Sequence, residues 1–127
     1  MDLDLTPEQE LVRDTVRAFA RERVAPVAEE LDRESRFPIE LVREMAELGL
    51  MGIPVPEEHG GAGGDTVSYA LAVEELTRID SSVAITLAAH TSLGTMPILL
   101  FGSDEQRTRW LPDLSSGRKL AAFGLTE

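Results

Sequence analysis

SSVAITLAAHTSLGTMPILLF, Ser81 to Phe101, is the stretch whose reading decides the fold. It holds no Asp, Glu, Lys or Arg, and His90 is its one titratable side chain, although 28% of the chain is charged. Asp80 bounds it on one side, and Gly102, Ser103 and Asp104 on the other. A helix apolar around most of its circumference has to be buried, in protein or in lipid. A helix of this length also matches a bilayer, whose hydrocarbon is roughly 30 Å thick. Hydroxyl residues, Gly94 and Pro97 dilute the run. Its flanks are Arg78, Asp80, Asp104 and Glu105, with no Trp or Tyr belt at either end. The segment therefore reads as the central helix of a helical bundle, without membrane insertion.

The bulk numbers narrow the classes. A chain of 127 residues fits one domain with a sizeable core. Net charge is −11, from 23 acids against 12 bases. That argues against nucleic acid and against an anionic membrane surface, since both need a basic face. The absence of cysteine excludes disulfides and thiolate metal sites. The opening MDLDLTPEQE has no apolar h-region and is not Arg-rich, so cytoplasmic residence is the expectation.

Helix signals recur along the chain. Thr6-Pro7-Glu8-Gln9 places an N-cap, an N1 proline and a capping-box glutamine in order. Val12, Val16, Phe19, Ala20 and Val24 follow as one apolar stripe, with Arg13, Arg17, Arg21 and Glu22 on the other side. Pro26 predicts an end or a kink near Val24, with further helical turns beyond it. A second helix opens at Arg36-Phe37-Pro38, turns Leu41, Val42, Met45 and Leu48 inward, and stops at Gly49. LMGIPVP reads as extended, because Pro54 and Pro56 forbid helix. The glycine-rich PEEHGGAGGD lacks the pattern of a P-loop or a G-x-G-x-x-G turn, so it reads as a turn needing positive φ. His59 within it reads as loop surface. Asp65 caps a third helix through Ile79, with Val67, Ala70, Leu71, Val73 and Leu76 as its buried face. Ser103-Asp104-Glu105-Gln106 is a second capping box, and its helix docks through Trp110, Leu111 and Leu114. Lys119 to Thr126 has no helical period and reads as a buried strand whose sheet partners lie elsewhere.

Spacing alone reveals little chemistry. No Ser/His/Asp or paired-His constellation is legible, and no metal site is expected. Adjacent acids such as Glu29/Glu30, Glu57/Glu58 and Glu74/Glu75 read as solvated surface. His90 reads as a core histidine bonded to a hydroxyl or carbonyl. Gly94 permits close approach of a backbone or a flat ligand, and Pro97 should bend the helix near Leu93. A bent helix of small residues can wall an apolar ligand pocket.

Taken together, TPEQELVRDTVRAFARERVAP, FPIELVREMAELGLMGIPVPEEHGGAGGD and HTSLGTMPILLFGSDEQRTRWLPDLSSGRKLAAFGLTE resemble the N-terminal helical domain of the flavin-dependent acyl-CoA dehydrogenases. No single token decides this; their order and spacing over the whole chain do. The resemblance implies an N-terminal helical domain followed by a middle β domain and a C-terminal four-helix bundle. It implies FAD as cofactor, an acyl-CoA substrate, electron-transfer flavoprotein as partner and a homo-oligomer. In the family a carboxylate of the C-terminal domain removes the α-proton while the β-hydride passes to flavin N5, so no catalytic residue is expected in this chain. Phe123, Leu125 and Thr126 match the strand that contacts the flavin pyrimidine end. Thr86, Ala89, His90, Leu93 and Gly94 match the wall of the fatty-acyl cavity. The family signature continues after Thr-Glu with a Gly-Ser-Asp element, whereas this sequence stops at Glu127.

The expectation is thus an all-α fold: five to six helices, orthogonal or up-down, around the central helix 82–101, with a C-terminal extended segment. Residues 1–118 form the helical domain and 119–127 start a middle β domain. The segment alone is expected to be inactive and to retain no FAD. An acyl-CoA oxidase, a flavin monooxygenase relative, or a stand-alone helical interaction module are the alternative readings.

Overall fold

The computed structural model describes residues 3–126, so Glu127 of the Thr-Glu step lies outside the described residues. Seven α-helices run in order: α1 Pro7–Phe19, α2 Ala25–Glu34, α3 Ile39–Glu47, α4 Thr66–Thr77, α5 Ser81–Ala88, α6 Met96–Phe101 and α7 Asp104–Ser115. Two π-helical segments, Ala20–Val24 and Ala89–Thr95, join α1 to α2 and α5 to α6 without a break. The chain therefore forms five helical rods, and no strand occurs among the described residues.

Both π segments end two residues before a proline. Pro26 and Pro97 lack the N–H of a regular turn, and each ring crowds the carbonyl four residues earlier. The residue just before each proline donates five residues back instead: Ala25 N–H to Ala20 O, and Met96 N–H to Thr91 O. The wider turn lets the rod pass its proline with a kink rather than a stop. Pro26 thus kinks the first rod near Val24, and α2 runs on to Glu34.

The caps form as the sequence dictates. Thr6 Oγ1 accepts from Gln9 N–H at 3.3 Å, and Gln9 Oε1 accepts from Thr6 N–H at 3.0 Å. Gln9 Nε2 also donates to Asp65 Oδ2 at 2.7 Å, while Asp65 Oδ1 accepts the Ser68 N–H. One glutamine therefore ties the start of α1 to the start of α4. Asp80 and Ser103 cap α5 and α7 in the same way.

The core is built from α1, α2, α3, α4 and α5, with Val16, Phe19, Leu41, Met45, Leu76 and Leu87 among its members. The buried face of α4 differs from the sequence expectation. Ser68, Ala72, Glu75 and Leu76 are buried, Val67 and Ala70 are exposed, and Leu71 and Val73 are half-buried. Small residues let α4 lie close to α1, and Arg17 on α1 supplies the partner that makes burial of Glu75 tolerable. Arg17 Nε and Nη2 donate to Glu75 Oε2 and Oε1 at 3.0 and 2.7 Å, a bidentate pair. Glu75 is 4% exposed, so it is not the solvated acid its neighbour Glu74 is. Arg17 holds its carboxyl below the usual carboxylate range.

Three further expectations are corrected. Leu48 is exposed at the end of α3. LMGIPVP is not extended: Leu50–Gly52 form a 3-10 turn and Ile53 to Val55 continue as turns, burying Leu50, Met51, Ile53 and Val55. Residues 119–126 are an exposed irregular tail, not a buried strand, because no described neighbour offers a ladder.

The glycine-rich loop folds back on that turn. Gly61, Ala62, Gly63 and Gly64 donate their N–H groups to the carbonyls of Pro56, Gly52, Val55 and Ile53. A Cβ on Gly61 would meet Val55 O at 2.0 Å, so close approach fixes glycine there, while Gly60 and Gly63 take positive φ. These amides are engaged within the fold rather than pointed at a ligand.

Leu87 is fully buried in the core, so Leu87→Ala lowers unfolding free energy by about 2–5 kcal/mol in urea titrations. Arg17→Met shifts the urea midpoint further than Glu75→Gln. The first leaves a buried carboxylate without its hydrogen-bonded partner and with only the 4.0 Å contact to Arg78, while the second leaves a guanidinium that reaches water.

Candidate functional site: the open face of the central helix and the tail

The rod Ser81–Phe101 has two distinct sides. Val83, Ala84, Leu87, His90, Thr91 and Thr95 are buried. The opposite side carries Ile85, Leu93, Pro97, Leu100 and Phe101, all exposed, with Phe101 at 85%. A third of the most apolar window is buried. The rod is therefore a core helix on one side and an open apolar strip on the other. Arg107 Nε closes its C-terminal end by donating to Leu99 O at 2.9 Å.

The site residues read from the sequence fall into three groups. Leu93 is 47% exposed on the open strip, with half-buried Ala89 one turn before it. Thr86 is half-buried, donates its hydroxyl to Ser82 O at 2.9 Å, and lines a separate cleft of about 330 Å³ with Leu31, Phe37 and Val83. His90 is 1% exposed and faces inward. Gly94 is half-buried under the tail. Thr86 and Leu93 thus do not share a cleft. Uniform helical spacing gathers all five on one side, but the π segment re-phases the rod between them. Pro97, four residues past Leu93, is the signal for that shift.

His90 joins three pieces of chain. The Ala121 N–H donates to His90 Nδ1 at 3.0 Å, so Nδ1 is unprotonated. The proton then sits on Nε2, which donates to Leu114 O at 3.1 Å. Thr95 Oγ1 donates to the His90 carbonyl at 2.9 Å, occupying an acceptor in the wide turn. Burial lowers the His90 pKa below 6.5, against the opposing pull of the Leu114 and Met51 backbone. The imidazole is neutral, with both nitrogens engaged.

The tail is fastened in two places. Asp113 binds Arg118 Nη2 at 2.6 Å and Lys119 Nζ at 2.9 Å, and those two cations hold its carboxyl below the usual range. Ala121 then docks on His90 and Gly94. Beyond Ala121, Phe123, Leu125 and Thr126 are exposed, and no hydrogen bond engages their backbone among the described residues. Trp110 lies beside this anchor, partly exposed rather than fully docked, with Arg109 and Lys119 over its ring at 4.8 and 5.7 Å. Sequence reading missed Ala121, Ile85, Leu100 and Phe101; only Ala121 had no local signal, since its partner His90 is 31 residues away.

A family model described as acyl-CoA dehydrogenase, N-terminal domain, matches residues 6–118. The chain belongs to the acyl-CoA dehydrogenase family. It is 50% identical over 127 residues to the short-chain specific acyl-CoA dehydrogenase of Clostridium acetobutylicum, covering 100% of this chain and 34% of that one. The structure of butyryl-CoA dehydrogenase from Megasphaera elsdenii superposes with a TM-score of 0.95 at 42% identity, covering 100% of this chain and 34% of that one. An acyl-CoA dehydrogenase complexed with FAD from Bacillus anthracis superposes with a TM-score of 0.90 at 43% identity, covering 98% and 21%. The chain spans about a third of the length of the curated relatives it matches.

A buried histidine with a lowered pKa makes stability depend on pH in one direction. Below pH 6.5 the unfolded chain binds a proton that folded His90 resists, so stability rises with pH there and levels off above it. Urea titrations across this range show that slope, and His90→Gln removes it. Glu75 adds a separate loss only below about pH 4.5.

Proposed function

We propose that the full-length protein dehydrogenates short-chain acyl-CoA thioesters between Cα and Cβ, with FAD as the two-electron acceptor. This segment contributes one wall of the acyl pocket and part of the flavin contact. The observation that carries the reading is the open apolar strip from Ile85 to Phe101 beside a tail with free backbone groups. An uncovered apolar surface of this kind marks a binding or docking face. Family membership supports reading it as the side on which the rest of the enzyme and the acyl chain lie.

The tail fits the flavin. Phe123, Leu125 and Thr126 offer backbone N–H and C=O groups and one hydroxyl, the donors and acceptors that the heteroatom edge of an isoalloxazine ring needs. The bound flavin supplies hydride acceptance. This chain's residues bind and orient: Leu93 and Ala89 limit the acyl chain, and the tail holds one edge of the ring. Holding donor and acceptor in register is a large share of the rate enhancement in such a reaction. Residues 119–127 begin the middle domain in this reading. His90 lies behind the wall and shapes it through the helix rather than by touching the acyl chain.

Short-chain substrates follow from the Clostridium acetobutylicum and Megasphaera elsdenii relatives, named for short-chain and butyryl thioesters. We also infer a homo-oligomer that passes electrons to an electron-transfer flavoprotein, resident in the cytoplasm, without nucleic-acid binding or membrane insertion. The buried His90–Thr95 side of the central rod supports the last point, because it packs against protein.

Leu93→Ala in the full-length enzyme should shift specificity toward longer chains. The ratio of kcat/KM for octanoyl- over butyryl-CoA rises by about ten-fold or more, the effect of a few methylenes in an apolar pocket. An unchanged ratio would remove Leu93 from the wall. The 127-residue segment alone shows no turnover with any acyl-CoA.

A further inference from the structure

We propose that His90 is a positioning residue for the flavin contact: together with Gly94 it fixes the point from which residues 122–126 set out. The inference rests on the reading of Phe123 to Thr126 as flavin ligands, and it adds the device that aims them.

Two independent observations place the anchor at Ala121. The first is the hydrogen bond from Ala121 N–H to His90 Nδ1, made to a ring that is 1% exposed. The ring itself is clamped by Nε2 donating to Leu114 O at the end of α7. Its orientation is fixed by an element that precedes the tail. The second is steric. A Cβ built on Gly94 would lie 2.1 Å from Ala121 Cβ and 3.1 Å from Ala121 Cα. Glycine at 94 therefore lets the tail cross directly over the central rod. The π segment serves both contacts, since His90 and Gly94 both lie within Ala89–Thr95. No regular ladder holds the tail, so beyond the Asp113 clamp on Arg118 and Lys119 this one bond and one contact set where residues 122–126 depart.

The two ring nitrogens have different jobs and different amide mimics. An asparagine amide reproduces the position of Nδ1, and a glutamine amide reproduces that of Nε2. His90→Asn keeps an acceptor for Ala121 N–H and gives up Leu114. His90→Gln keeps the donor to Leu114 and gives up Ala121. A purely structural role for His90 in the core would make the two variants similar. A positioning role separates them.

The test uses the full-length protein and reads two quantities. Hydrogen–deuterium exchange of the peptide containing residues 119–126, in FAD-depleted protein, reports the anchor, with the peptide containing Leu87 as a control for the core. FAD affinity reports the flavin contact. The expected result is exchange within about two-fold of the parent in His90→Asn. In His90→Gln exchange is faster by about five-fold, the loss of one hydrogen bond, with a matching loss of FAD affinity. Gly94→Ala, which touches neither ring bond, shows the same loosening. Parental tail exchange in both His90→Gln and Gly94→Ala would overturn the anchor. A loosened tail with unchanged FAD affinity would instead overturn the flavin role read for Phe123 to Thr126, and with it the positioning claim, while leaving the anchor itself in place.

Discussion

The wide turn from Ala89 to Thr95 is the feature on which the rest of the structure depends. Pro97 cannot donate to Leu93 O, and a regular turn would press its ring against that carbonyl. The i→i+5 turn relieves the clash and keeps one continuous rod from Ser81 to Phe101. It also rotates the rod, so that His90, Thr91 and Thr95 follow Leu87 into the interior while Leu93 and Pro97 face outward. With a regular turn, the apolar side and the hydroxyl-bearing side would drift relative to the core. The same device at Ala20–Val24 lets the first rod pass Pro26 and wrap the core with Val24 and Leu31.

Around that rod, polar burial is handled by pairing. Glu75 is buried against the two-pronged Arg17, and Gln9 reaches from one cap to another. Removing the partner of the buried member, here Glu75, leaves an under-compensated charge, which costs far more than the intact pair contributes. These contacts fix how α1 sits on α4, and so fix the platform under the central rod. Specificity of packing, rather than extra stability, is the role this arrangement supports.

Much of this was legible. The caps at Thr6, Asp65 and Ser103, the kinks at Pro26 and Pro97, and the all-helical class follow from local chemistry that needs no tertiary partner. The misses have one cause: they depend on what another segment brings. The inward side of α4 turned on Arg17, which no α4 residue announces, so a face chosen by hydrophobicity took Val67 and Ala70 in place of Ala72 and Glu75. LMGIPVP was assigned from its prolines, but the buried turn exists because the glycine loop donates four N–H groups to it. Residues 119–126 read as strand from apolarity alone, yet a strand needs a ladder and the described chain has none to offer. On the central rod, Leu93's outward direction was reachable from helical spacing, and His90 was legible as a core histidine bonded to a carbonyl. Its second partner was not, because Ala121 lies 31 residues away.

The position of His90 also settles how an apolar rod can hold an imidazole without becoming a liability. A buried neutral ring with one unpaired nitrogen loses a hydrogen bond to water and gains none in return. Here one nitrogen accepts a hydrogen bond from the tail and the other donates one to α7, so each bond fixes the tautomer required by the other. Replacing the ring by leucine would satisfy the core by volume but leave Ala121 N–H without its partner and Leu114 O with only the backbone N–H groups at the end of α7. Those two groups belong to the segments that lead out of the helical domain. The histidine is therefore better understood as a connector between the core helix and the exit of the chain than as an element of either the core or the pocket.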